Sequence, residues 1–301
     1  MKILSGKQPG PRRIMLYGVH GVGKSTWAAN APNPIFLNLE DGLNDIDCSK
    51  TELLGSYLAV MESVAFLQTQ PHEFKTLVID TIDWLEQLIY KHICQDTSKQ
   101  SLADFDYGKG YEKALAMWKA FLVHLDWLRV NRRMNVILLA HAKIEKYQSP
   151  EVGTYDRYIP KLHESKSVQI SSMVQEWADE VFFASFKTYV RSEDLGFKKE
   201  RNLAVGGKER VLRTGETAFA SAKNRLNLPE EIPMDWGVYL NYVKANYATA
   251  KKVEQVAPQG MATIETPSAN IAGVVVDGSS KKKEESPLIT EMENHFGNAT
   301  A

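Results

Sequence analysis

Residues 13–32 read RIMLYGVHGVGKSTWAANAP. Arg13 to Tyr17 is a short apolar run of the kind that makes a buried strand, and Thr26 onward reads as a helix ending near Pro32. Between them Gly18, Val19, His20, Gly21, Val22, Gly23, Lys24 and Ser25 fit G-x-x-x-x-G-K-[ST] at each fixed position, in the strand–loop–helix setting that a phosphate loop needs. The residue types follow from the chemistry. Glycines let successive backbone N–H groups curl around an anion, where side chains would block it. The helix amino terminus, from Thr26, adds its partial positive charge. Lys24 is placed to reach the β- and γ-phosphates, and the Ser25 hydroxyl to ligate Mg²⁺. A chance glycine turn is the competing reading. The motif predicts ATP or GTP as ligand, with ATP the expected cofactor together with Mg²⁺.

A site of this kind needs a carboxylate that holds the metal through water. In HEFKTLVIDTIDWLE, residues 72–86, a β-type run from Phe74 to Ile79 places Asp80 at its carboxyl end, where open α/β sheets bind ligands. A helix is expected from Ile82, so an ordinary capping aspartate is the rival reading of Asp80. Hydrolysis also needs a base or a group that positions water. Ring motors of the AAA+ type carry Glu directly after this aspartate; here the position is Thr81. Elsewhere NPIFLNLEDG predicts a strand from Ile35 to Leu39 that ends in Glu40, with Asp41 as the alternative carboxylate. MNVILLAHAKIEK predicts a strand from Asn135 to Ala140 that ends in His141. RVLRTGETAFASAKNRLNLPEEIP predicts two strands around Thr214-Gly215, an antiparallel pair near residues 210–222, followed by Lys223-Asn224-Arg225.

YGVHGVGKST, LNLEDG, TLVIDTIDWLE, DYGKGY, LLAHAK and AKNRLNLPEEIP together resemble the phage-encoded, RecA-like ATPases of the Sak group. The resemblance spans about residues 10–247. It implies an α/β fold: a RecA-like P-loop NTPase core with a mostly parallel, twisted sheet and helices on both faces. It implies Glu40 as the catalytic carboxylate that activates water and His141 as a γ-phosphate sensor. It also implies that Lys223 and Arg225 cross to a neighbouring subunit's γ-phosphate, where guanidinium offers a fixed fork of donors. A solvated basic turn is the competing reading of that pair. If the pair acts in this way the active unit is a homo-oligomer, a ring or short filament. The implied activity is ATP hydrolysis, stimulated by DNA, coupled to single-stranded DNA binding and to annealing or strand exchange. A single-strand DNA-binding protein is a further implied partner. No long amino-terminal polymerisation helix of the bacterial RecA kind is seen in the sequence.

In RecA-like proteins two loops at corresponding places face DNA. The first lies in CQDTSKQSLADFDYGKGYEKA, where Gly108-Lys109-Gly110 is flanked by Tyr107 and Tyr111; aromatic faces that stack on bases are sequence-tolerant. The second runs from Lys143 to about Ser172 and carries Lys143, Lys146, Arg157, Lys161 and Lys166 among Tyr147, Tyr155 and Tyr158. It shows no clear periodicity, and excursions of that length inside a domain are usually functional or disordered. A mobile lid is the alternative for each. Trp118, Phe121, Leu122, Leu125 and Leu128 recur at helical spacing and are read as core.

Composition bounds these readings. The chain of 301 residues is 44% apolar, enough for a sizeable core, and its formal charge of −1 gives no global basic field, so a nucleic-acid site must be local. Two cysteines, Cys48 and Cys94, have no metal-binding spacing and predict a reducing setting. No run reaches the roughly 18 apolar residues of a membrane span, and the polar start MKILSGKQPGPRR is unlike a signal peptide. The expectation is a cytoplasmic protein with no membrane partner, the cytoplasm being that of an infected bacterial host. Residues 248–301 hold one aromatic, Phe296, and are expected to form a flexible tail after an N-terminal extension (1–9) and an ATPase domain (10–247). Three rivals are a replicative-type helicase, an annealing module with little dependence on ATP, and a small-molecule kinase, which has no need of Glu40, His141 and Lys223-x-Arg225 together.

Overall fold

A computed structural model describes residues 3, 5–194 and 200–254. In chain order the elements are β1 (Arg13–Gly18), α1 (Lys24–Ala29), β2 (Pro34–Asn38), β3 (Ser49–Lys50), α2 (Tyr57–Thr69), β4 (Thr76–Asp80), α3 (Ile82–Asp96) and α4 (Lys109–Asn131). They continue with β5 (Asn135–Ser149), β6 (Gly153–Pro160), α5 (Ile170–Trp177), β7 (Glu180–Asp194), β8 (Glu200–Arg213), β9 (Glu231–Pro233) and α6 (Trp236–Glu254).

The strands join in the order β3-β2-β4-β5-β1-β7-β8-β9, parallel from β3 to β7 and antiparallel beyond it. Strand β1 is central, and side chains alternate across it. Ile14 and Leu16 pack with Val22 of the phosphate loop and with Trp27, Trp236 and Tyr239 from α1 and α6. Met15 and Tyr17 pack on the opposite side with Tyr57, Leu85, Trp118 and Val174 from α2, α3, α4 and α5. Burial on both faces is why β1, β4 and the first half of β5 read as unbroken apolar runs. The helix α4 buries Trp118, Phe121, Leu122, Leu125 and Leu128 on one stripe, as their spacing predicts. Each large side chain so buried contributes roughly 1.5–3 kcal/mol. The chain therefore forms the α/β fold expected of it, a mostly parallel sheet with helices on both faces.

Two expectations are corrected. The segment after His141 is not an aperiodic loop: β5 runs on through His141 to Ser149 and folds back as β6, from Ala142 opposite Pro160 to Ser149 opposite Gly153. Gly153 sits at φ +82°, which suits the turn of this ribbon. The antiparallel pair near residues 210–222 is instead β8 against β7. Residues 214–230 form no strand and touch the sheet through single bridges, Ala220 to Tyr158 and Lys223 to Val181. The helix α6 continues to Glu254, past the composition change at residue 248. The remainder of the expected tail, residues 255–301, lies outside the described residues.

Candidate nucleotide site

Leaving β1, the chain turns through Gly21 (φ +70°) and Gly23 (φ +96°) into α1. Gly18 meets a different demand, because a Cβ there would lie 2.2 Å from the Ala184 carbonyl oxygen of β7. The loop opens onto a cleft of about 330 Å³ lined by His20, Gly21, Gly23, Lys24, Ser25, Thr26, Glu40, Asp80, His141 and Arg210, among others. Parallel pairing brings these together. Gly18 is level with His141 on β5, and Asn38 of β2 with Asp80 of β4, so the functional residues sit at one end of adjacent strands.

Lys24 is buried and folds back, its amine donating to the carbonyls of Gly18 (3.3 Å) and Val19 (3.2 Å). Burial lowers its pKa, against the pull of Asp80 and Glu40. The Ser25 hydroxyl donates to Asp80 Oδ2 at 2.5 Å. Asp80 is 1% exposed, and its Oδ1 is buried with no partner among the described residues. Burial pushes its pKa up to about 6, offset in part by the Ser25 hydrogen bond. A hydroxyl and a carboxylate with an unsatisfied oxygen form an all-oxygen donor set that suits a hard divalent cation.

Glu40 stands two residues past β2. Its Oε2 accepts from the Thr81 hydroxyl at 3.4 Å, and its Oε1 lies 3.9 Å from His141 Nε2. Asp41 is exposed and accepts from Asn44 at 3.1 Å. His141 is buried, and its other edge is fixed: Asp83 Oδ2 is 2.9 Å from Nδ1, and Asp83 Oδ1 accepts from the His141 backbone N–H at 3.0 Å. Burial acts to raise the Asp83 pKa, but the His141 hydrogen bonds outweigh it and hold the carboxyl below its ordinary range. The ring of His20 stacks on that of His141 at 4.1 Å, and the nearby His141 lowers the His20 pKa.

Other expected site residues lie elsewhere. The Lys223 amine donates to the carbonyls of Gln175, Glu176 and Ala178 at 2.7–3.2 Å, at the carboxyl end of α5. Arg225 pairs with Asp179 at 3.2 Å and keeps 54% of its side chain exposed. Asp179 precedes β7 and bonds Arg13, so this pair sits at the amino ends of the strands, away from its own chain's phosphate loop. Among the proposed DNA contacts, Tyr107 is 98% exposed beside Gly108 (φ +74°), and Lys109 opens α4. Tyr111 instead stacks on His163 at 4.3 Å. On the ribbon Lys146 is exposed opposite Asp156, and Lys161 is exposed just beyond β6. Lys143 donates to the Leu162 carbonyl and pairs with Glu145. Arg157 is 8% exposed, paired with Glu216 and laid over the Tyr147 ring, so it is not available to DNA in this arrangement.

Asp83, Thr81 and Arg210 were not read as site residues. Asp83 left a signal, a second acid three positions after Asp80 at the start of a helix, where its side chain turns back toward the strand ends. Arg210 left none; only strand pairing brings it to the loop.

A phosphate loop at the end of a central parallel strand, with Ser25 and Asp80 joined across it, defines a P-loop nucleoside triphosphatase. The chain belongs to the AAA_24 family, an AAA domain, whose model matches residues 10–226. The hydroxyl of Thr81, directly after Asp80, bonds Glu40 from beyond the end of neighbouring β2. A relative is a SPbeta prophage-derived uncharacterized protein, YorG, of Bacillus subtilis (strain 168), 24% identical over 142 residues. That match covers 44% of this chain and 42% of the relative, so the chain spans about two fifths of its length. Among solved structures the RadB recombinase is similar at 10% identity with a TM-score of 0.34, over 67% of this chain and 80% of that one. No helix among the described residues is long and apolar enough to cross a membrane.

Proposed function

We propose that this chain is an ATP-dependent protein that binds single-stranded DNA and promotes annealing or strand exchange in phage DNA recombination. The observation that carries the ATPase reading is the meeting of Lys24, Ser25, Asp80, Glu40 and His141 in one cleft. The DNA part rests on the resemblance to the Sak group, with the prophage origin of a relative in keeping with a phage setting. Exposed Tyr107, Lys109, Lys146 and Lys161 supply stacking and cationic groups for it.

Ser25 and Asp80 would hold Mg²⁺, whose charge neutralises the β- and γ-phosphate oxygens. Lys24 exchanges two neutral carbonyl partners for phosphate oxygens, a stronger charge-assisted pairing. Glu40, steadied by the Thr81 hydroxyl, takes the proton of the attacking water. His141, held at Nδ1 by Asp83, turns Nε2 toward Glu40 and the cleft and orients the reacting groups. Arg225, the exposed member of its pair, is offered to a neighbouring subunit, while Lys223 secures the turn that carries it.

Measuring ATP turnover with and without single-stranded DNA, beside annealing of complementary strands, tests this reading. Stimulated turnover and ATP-dependent annealing are expected. Turnover indifferent to DNA with phosphate passed to a small molecule would replace it with a kinase, and strand displacement on a forked duplex would make it a helicase. Arg225→Ala and Lys24→Ala proteins, each inactive alone, should regain turnover on mixing if Arg225 acts across an interface.

A further inference from the structure

Arg210 differs from the neighbouring cations Arg213 and Lys187. Arg213 pairs with Glu231 at 3.0 Å, and Lys187 pairs with the same carboxylate at 3.0 Å. The Arg210 guanidinium has no ion-pair partner among the described residues and lies 6.0 Å from the Phe186 ring centroid. It is exposed, yet an ideal Cβ on Gly23 would come within 2.8 Å of its Nη1, so the guanidinium rests against the phosphate loop of its own chain.

Strand register explains the placement. Gly18 is level with Ala184 of β7, which is level with Leu212 of β8. Arg210 lies two residues earlier on β8, one pleat beyond the end of β1 and at the height of the loop. Alternation puts it on the face of Leu212, which packs in the cluster of Val22 and Trp27, the face that carries α1. Its backbone is held on both sides, by Phe186 of β7 and by the Met234 N–H, which donates to its carbonyl at 3.0 Å. A second hollow of about 230 Å³, lined by Thr26, Trp27 and Trp236, shares Arg210 and Thr26 as walls with the phosphate cleft.

We propose that Arg210 is a nucleotide-binding residue acting in cis: its guanidinium engages the phosphates bound on Gly18–Ser25 of the same subunit, at the junction with the second hollow. This rests on the nucleotide reading above and adds a cation that the phosphate-loop motif does not contain. An unpaired guanidinium on a rigid strand offers a planar fork of donors that needs little rearrangement on binding.

The test is a titration of Arg210→Ala, Arg210→Lys and the unaltered chain with Mg²⁺ plus ADP or a non-hydrolysable ATP analogue, with melting temperatures recorded without nucleotide. Arg210→Ala should lose about 10- to 100-fold in affinity for both nucleotides, the scale of a charge-assisted hydrogen bond. Its melting temperature without nucleotide should be unchanged, and Arg210→Lys should recover part of the loss. If the unaltered chain binds and Arg210→Ala binds as tightly, the assignment to Arg210 is wrong. If the unaltered chain binds neither nucleotide, the nucleotide reading itself fails. At an ATP concentration that does not saturate Arg210→Ala, mixing it with Lys24→Ala should give no more turnover than Arg210→Ala alone, since both defects fall within one subunit's site; a gain on mixing would move Arg210 to the neighbour's nucleotide.

Discussion

The two ends of the parallel sheet treat charge in opposite ways. At the amino ends, charged groups satisfy one another. Arg12 pairs with the fully buried Glu180 and donates to the Tyr247 hydroxyl at 2.9 Å. Arg13 bonds Asp179 and Asp126, Trp177 donates to Asp126 at 2.8 Å, and Lys223 is tied down in the same neighbourhood, where Arg225, half exposed beside Asp179, is the one group left open. At the carboxyl ends partners are withheld. Among the described residues Asp80 keeps an unpartnered buried oxygen and a pKa near 6, Lys24 has only carbonyls, and Arg210 has no carboxylate. A closed network stabilises the fold, whereas an under-partnered one is poised for a charged ligand. The difference also separates residues of like chemistry: Lys24 and Lys223 are both cations near the sheet, and only Lys24 faces an open cleft.

The largest expected effect breaks the ligand end outright. Lys24→Ala should abolish ATP turnover and weaken nucleotide binding with little change in folding; turnover at the unaltered rate would overturn the site. Next, Glu180→Ala should cost about 3–5 kcal/mol in denaturant unfolding, because it strands Arg12 without its buried partner. Turnover per folded molecule should hold, and a loss below 1 kcal/mol would show that the amino-end network is not structural. Glu40→Gln should bind ATP normally and hydrolyse it ~100-fold more slowly, the scale of a lost general base. An active Glu40→Gln beside a dead Asp41→Asn would transfer the role to Asp41.

Two smaller effects probe the boundary behind the cleft. Glu86, one turn after Asp83 on α3, is buried, accepts from the His163 N–H at 3.0 Å, and has its pKa pushed up to about 7 by that burial. The native state therefore holds a proton that the unfolded chain releases near pH 4.5. Stability should fall as pH rises from there through about 7, by on the order of 2–3 kcal/mol. Glu86→Gln should flatten that part of the stability–pH curve; an unchanged slope would assign it to other groups. Smallest of all, Asp83→Asn should lower turnover about tenfold, the low end for a group that only orients another, with nucleotide affinity retained. Turnover equal to that of the unaltered chain would leave His141 without need of its partner.

Much of the ligand end was legible because its chemistry is local. The phosphate loop is eight consecutive residues, and Asp80, Glu40 and His141 each follow an apolar run whose end can be read directly. The ribbon of β5 and β6 was missed because both its faces are largely exposed, so Lys143 to Tyr158 carries no alternation of apolar and polar residues. Only Ser149-Pro150 and Gly153 mark its turn. The segment 214–230 looked strand-like in composition, yet β8 already pairs with β7 on one side and β9 on the other, leaving no edge for it there.

By itself, then, the sequence determined the strand–loop–helix of the phosphate site, the buried central strands and the core stripe of α4, since spacing and residue type along a few neighbouring positions suffice for each. The tertiary structure alone decided which distant charges meet. Asp83 reaches His141 across 58 positions, Arg157 is withdrawn from solvent by Glu216, Lys223 is tied to the end of α5, and Arg210 is carried to Gly23. Whether a charge stays open or is satisfied depends on strand order and register, and those are fixed by packing between segments far apart in the chain.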